Sequence, residues 1–188
     1  MRRILLLLSL GFFCTVVAAE ERVAVCYNYG CYRTDVVVFS EAQLAGIHEL
    51  LSTAKNAEQE RKVLALAVGR LLGWAGQQTP ISADRGGNVE DAGVFGRMDC
   101  IDHSTTTTRL LKVLEGRRWL RWHQVTEPVL RTRFLIFDHW SAAIEERISS
   151  MHYVVDSWFY DNGQPAVVMP LDDWMEWLDE EDLSGERK

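Results

Sequence analysis

The hydrophobic spacing changes character several times along the chain. An apolar run from Ile4 to Val17 comes first. Val23 to Cys26 and Asp35 to Phe39 then read as short β segments on either side of a loop, where Asn28 and Gly30 supply turn chemistry. Ser40 and Gln43 form a capping-box pattern, and Leu44, Ile47, His48 and Leu51 follow at helical spacing. His48 is then a surface or boundary residue. A second helix is predicted from Glu58 to Trp74, with Val63, Leu64, Ala67, Leu71 and Leu72 as its apolar stripe. Both helices read as scaffold.

Periodicity is lost between Thr79 and Met98, a stretch holding Pro80, Gly86, Gly87, Gly93 and Gly96. Irregular connections of this length are uncommon in compact domains and are often functional. This one delivers the chain to Cys100. Ser104 to Glu115 reads as a helix with Leu110, Leu111 and Leu114 on its buried side and Gly116 as its stop. Thr105 to Thr108 lower its intrinsic helix propensity, so packing must hold it. From Trp119 the pattern turns to β: Trp119 to Val125, Arg133 to Glu145, His152 to Phe159 and Ala166 to Met169. Asn162-Gly163 is a hairpin turn signal between the last two. Pro170 to Leu178 reads as a short closing helix, and residues 179–188 as an acidic tail expected to be disordered. The order predicts one α+β domain over residues 20–178, a cysteine-bearing helix packed on an antiparallel sheet.

The apolar run at the start changes the picture of where this domain works. Arg2 and Arg3, the run itself, and small residues Val17 and Ala19 before Glu20 make residues 1–19 a secretory signal peptide. The run is shorter than the roughly 20 residues of a membrane span. Of the 188 residues, 169 then remain, enough for one core. Cys14 goes with the signal; the bulk of Phe12 and Phe13 before it argues against lipid modification. The expected address is the periplasm, or secretion, with no membrane association after cleavage. Two of the 20 basic residues leave with the signal, so 18 basic against 27 acidic residues give a net charge of −9. That balance argues against nucleic acid as a partner, since its binding needs a clustered positive face.

Three cysteines stay in the mature chain. Cys26 and Cys31, five apart, suit a disulfide, which leaves the Cys100 thiol over. Cys100 stands in Asp99-Cys100-Ile101-Asp102-His103 at a helix N-terminus, where exposed N–H groups and the dipole favour thiolate. Asp99 and Asp102 oppose that effect, and either can cap the helix. Among the five histidines His139 stands out, because the next strand carries Asp156. Direct opposition of the two places the hairpin turn between Arg147 and Ile148, at the polar break Glu146-Arg147-Ile148-Ser149. Their Cβ atoms are then about 4.5–5.5 Å apart. Cys100 as nucleophile, His139 as base and later acid, and Asp156 as the group that orients the imidazole form a triad for acyl transfer. The Cys100 N–H supplies one oxyanion donor; the second is not placed. His123 and His152 receive no role.

Asp99-Cys100-Ile101-Asp102, Asp138-His139-Trp140 and Tyr153-Val154-Val155-Asp156-Ser157-Trp158 resemble the transglutaminase-like cysteine peptidase superfamily, over about residues 98–158. The resemblance is strongest to bacterial periplasmic members, some of which are calcium-dependent proteases of surface adhesins. It implies a papain-like or transglutaminase-like α+β core and the same three roles, with a peptide or protein substrate and no required cofactor. Calcium-dependent members carry an acid directly after the cysteine. Ile101 stands there instead, and Asp99 and Asp102 are the candidate calcium ligands. Trp140 replaces the small residue usual after the histidine.

Two rivals stand beside an amide hydrolase. Cys100 and His103 can share a helix face and bind zinc with Cys26 and Cys31. Alternatively, a non-catalytic protein keeps the fold and binds a partner through Trp119, Trp122, Trp140, Trp158, Trp174 and Trp177. Most of these tryptophans fit better as core. Hydrolysis is preferred to transfer onto an amine because water is always present.

Overall fold

A computed structural model describes residues 20–87, 90–133 and 136–176. Residues 1–19, read above as a signal peptide, and Trp177, Leu178 and residues 179–188, read as an acidic tail, lie outside these residues. The chain opens with an antiparallel hairpin of β1 (Glu21–Tyr27) and β2 (Arg33–Phe39). The helices α1 (Glu41–Ser52) and α2 (Ala57–Gly76) follow, then a 3-10 turn (Pro80–Ala83) and α3 (Cys100–Gly116). Four antiparallel strands complete a sheet in chain order: β3 (His123–Arg133), β4 (Phe137–Glu146), β5 (His152–Asp156) and β6 (Val167–Pro170). A short α4 (Leu171–Met175) comes last. The fold is α+β, with an antiparallel sheet and four α-helices among the described residues.

Helix α3 is the centre of the molecule, packed on β1 to one side and on β4, β3 and β5 to the other. Leu110, Leu111 and Leu114 are buried as the spacing predicts, and so are Thr106, Thr107 and Thr108. Two of the threonines are compensated by tertiary bonds: Thr106 Oγ1 accepts the Cys26 N–H at 3.0 Å, and Thr107 Oγ1 lies 2.9 Å from Ser157 Oγ. Packing does hold this weak helix. Its stop differs from the expectation. Gly116 is the last helical residue, and Arg118 takes the left-handed conformation (φ 60°) while Trp119 N–H bonds to Leu114 O.

The sheet differs in three places. Strand β3 runs on to Arg133, where the sequence pattern had stopped at Val125 and resumed in a single strand from Arg133. Pro128 hid it: proline donates no N–H, and it sits in the register shift between Thr126 and Val129, on an edge strand. Strand β5 ends at Asp156, so the segment to Phe159 is not strand. Asn162-Gly163 is not a tight β5–β6 hairpin; it turns within a longer connection and packs on α2, with Asn162 Nδ2 donating to Leu72 O at 3.3 Å.

His123 is structural. It is fully buried and donates from Nδ1 to Glu60 at 2.8 Å, while Glu60 also accepts the N–H groups of Arg121, Trp122 and His123. This buried carboxylate ties α2 to the start of β3. Four donors outweigh its burial and hold its pKa below the usual glutamate value.

Candidate active site

Asp99 is the N-cap of α3 and Asp102 its N3 residue, joined in a reciprocal capping box. The box presents Cys100 at the first helical position, partly exposed and unbonded to the other cysteines. Cys26 and Cys31 are bonded to each other. The loop they close holds Asn28, Tyr29, Gly30 and Cys31 all at positive φ (56–65°). Successive left-handed residues turn their N–H groups to one side, which makes an anion-binding concavity. Asp102 and Asp99 fill it. Tyr29 N and Cys31 N donate to Asp102 at 2.7 and 2.6 Å, and Gly30 N donates to Asp99 at 2.9 Å. Burial and the charge of Asp99 raise the Asp102 pKa to about 6, against the pull of these N–H bonds.

The two aspartates are therefore caps whose four oxygens each accept a backbone N–H. That is a donor-lined setting, which suits a carboxylate and not a cation beside it. The calcium reading of Asp99 and Asp102 gains no support from it. Nor does zinc on Cys26, Cys31, Cys100 and His103. Cys26 and Cys31 share a bond, and both nitrogens of His103 are engaged elsewhere. The same disulfide removes the thiolates from the one close group of metal-type side chains among the described residues, Cys26, Cys31 and Asp102.

Strand β4 brings His139 to the cysteine. Cys100 Sγ lies 3.9 Å from the carbonyl oxygen of Asp138, the residue before His139, and the Cys100 side chain is near enough to help raise the His139 pKa. His139 Nε2 donates to Asp156 Oδ2 at 2.7 Å, which leaves Nδ1 for the sulfur. The three predicted residues do meet, but by a different register. The β4–β5 ladder pairs Ala142 with Val155 and Ile144 with Tyr153, so Asp156 comes opposite Ser141 and not His139. Ser150, left-handed at φ 56°, closes a four-residue turn with Glu146 N–H bonded to Met151 O, where a two-residue turn was expected. The slip is two residues, so the same faces stay aligned. His139 and Asp156 are diagonal neighbours within reach of their long side chains.

Asp156 is fully engaged. Oδ2 also accepts Trp174 Nε1 at 3.0 Å, and Oδ1 accepts the Trp158 N–H at 3.1 Å. Arg131 stands opposite His139 on β3, with its guanidinium 4.2 Å from the centre of the Trp174 ring. Burial lowers its pKa to about 10, against the pull of Asp156, so it stays charged. Trp158, Phe159 and Trp174 surround the imidazole at 4.8, 5.9 and 5.6 Å between ring centres. Burial works against charge on His139 but is outweighed by its bond to Asp156 and by the nearby Cys100, and its pKa rises to about 9.

Trp174 and Arg131 carry no signal in the sequence pattern. Trp174 reaches the site from α4, and Arg131 falls in the strand that Pro128 concealed. The expected position of His48 holds: it is exposed and stacks on Trp119. No known protein family, characterised protein or solved structure matches this chain.

Proposed function

We propose that this chain is an exported cysteine-dependent amide hydrolase of transglutaminase-like type, with Cys100 as nucleophile, His139 as proton carrier and Asp156 as its orienter. The observation that carries the reading is the buried His139–Asp156 hydrogen bond beside Cys100, which opens α3 with its sulfur 3.9 Å from the carbonyl of Asp138, the residue before His139. At neutral pH an imidazole with a pKa of about 9 is charged, and a charged imidazole beside a cysteine favours thiolate. Sulfur attacks the amide carbonyl carbon, and the imidazolium gives its proton to the leaving amine as the C–N bond breaks. The thioester is then attacked by water, His139 taking the proton, and the acid leaves with the thiol restored.

The capping box uses the Asp102 N–H and the first helical bond uses the His103 N–H, donated to Asp99 O, so those of Cys100 and Ile101 remain as the first-turn donors available to an oxyanion. Export rests on the leader and on the disulfide. Among the described residues no helix is long and apolar enough to cross a membrane. The substrate class that fits is a peptide or protein, approached past the exposed side chains of Ile101 and Phe137. A purely binding protein would have no use for a buried, charged His139–Asp156 bond directed at a sulfur. The decisive measurement is peptide or amide turnover by the purified mature chain. Cys100→Ala should lose activity at least 1,000-fold with an unchanged melting temperature, and full activity in that variant would overturn the mechanism.

A further inference from the structure

His103 lies one turn beyond Cys100 on α3, is buried, and bonds through both ring nitrogens. Nε2 lies 3.0 Å from Asp84 Oδ2, and Nδ1 lies 2.9 Å from Ser157 Oγ. Ser157 Oγ is in turn 2.9 Å from Thr107 Oγ1, again on α3. With the Nε2 proton donated to Asp84, Nδ1 accepts the Ser157 hydroxyl, which accepts that of Thr107. Asp84, Ser157 and Thr107 are all buried.

The partners matter more than the burial. Ser157 directly follows Asp156, so its bond fixes the end of β5 to the cysteine helix. Asp84 Oδ1 accepts the Met98 N–H at 2.8 Å, two residues before Cys100. One imidazole thus joins the helix that carries the nucleophile, the segment that leads into it, and the strand end that carries the orienting acid. The loop that supplies Asp84 is itself pinned to the chain beyond Ser157. Gly87 N–H bonds to Trp158 O at 2.8 Å, and a Cβ at Gly86 would stand 2.2 Å from Tyr160 Cα.

The geometry points to His103 as a positioning residue that holds the Cys100 helix against the His139–Asp156 pair, braced by Asp84 and Ser157. This inference rests on the triad reading. A site that needs sulfur and imidazole in contact is sensitive to displacements of about 1 Å, and no side chain of the triad itself bridges α3 to the end of β5.

Iodoacetamide alkylation of Cys100 in the purified mature protein tests it without a substrate, by the ratio of rates at pH 6 and pH 9. A sulfur paired with an imidazolium reacts at pH 6, whereas an ordinary thiol, with a pKa of about 8.5, reacts mainly at pH 9. Ser157→Ala and His103→Gln should lower the pH 6 rate at least 10-fold while the pH 9 rate changes little. Asp84→Asn keeps a partner for the imidazole and should fall less. Unchanged ratios in the folded variants, even with lowered melting temperatures, would overturn the positioning role and leave the triad standing. If His103→Gln does not fold, the smaller Ser157→Ala decides alone. A wild-type protein that reacts at pH 6 no faster than a free thiol would overturn the triad and this inference together.

Discussion

Asp156 receives three donors, from the His139 ring, the Trp174 indole and the Trp158 backbone, and these fix its plane before any substrate arrives. An acid held this way orients the imidazole and stabilises its charged form, two effects that one substitution separates from simple burial. Asp156→Asn keeps the shape and most of the hydrogen bonds but removes the charge. The His139 pKa should then drop from about 9 toward its ordinary value of about 6.5, read by NMR titration of the ring. Amide turnover should fall at least 100-fold, following the loss of the correctly held tautomer. An imidazole that still titrates near 9 in this variant would mean that Cys100, and not Asp156, holds the charge. His139 and Asp156 could be paired from the sequence because both lie on strands of suitable spacing. The Trp174 donor could not, since nothing in the spacing of a five-residue helix tells which strand end it will cover.

Helix α3 depends at its N-terminus on an element far away in sequence. The Cys26–Cys31 loop, with four consecutive left-handed residues, has conformations that its chain would rarely sample unbridged. Its N–H groups hold Asp99 and Asp102, and these hold the first turn that presents Cys100. Replacing both cysteines by serine should cost about 2 kcal/mol of stability, from loop-closure entropy alone. The alkylation rate of Cys100 at pH 6 should also fall, because Asp102 loses its backbone donors. A variant less stable but equally reactive would confine the disulfide to a staple. The pairing of Cys26 with Cys31 was readable from cysteine arithmetic, whereas its service to the Cys100 helix was not. That service depends on positive φ at Tyr29 and Cys31, which are not residues that advertise it. Strand elements were readable where β-branched and aromatic residues run together, as at Tyr153-Val154-Val155 in β5 and Val167-Val168 in β6, and were lost where Pro128 interrupted β3. Register was legible to within two residues. The polar break Glu146-Arg147-Ile148-Ser149 marks the turn but not that Ser150, one residue beyond it, becomes left-handed.

Over the whole molecule the proposed site is divided: Cys100 belongs to the helical half, His139 and Asp156 to the sheet. The α+β class was readable because helical and strand patterns are segregated along the chain, a hairpin, then helices, then consecutive strands. The contacts that hold the halves in register, Asp84–His103–Ser157 and Glu60–His123, join polar residues over long separations and leave no periodic trace. A divided site also makes global stability report on its protonation. With Cys100→Ala no thiol shares the titration, and His139 remains bonded to Asp156 at 2.7 Å. The native pKa of His139 is raised above its unfolded value of about 6.5, so the folded state binds more proton than the unfolded one in the window from 6.5 up toward 9. Stability from this group is then complete below pH 6.5 and is lost as pH rises through the native pKa. A full shift to about 9 is worth about 3.5 kcal/mol, at about 1.4 kcal/mol per pKa unit, and the loss in this variant is smaller because the Cys100 share of the shift is gone. Urea unfolding of Cys100→Ala should show this decline from pH 6.5 to 9. In Cys100→Ala combined with Asp156→Asn the curve should be flat over the same range, because neither partner is left to hold the ring's proton. An equal decline in both would place the titrating group elsewhere, and the His139–Asp156 bond would no longer account for the charge at the site.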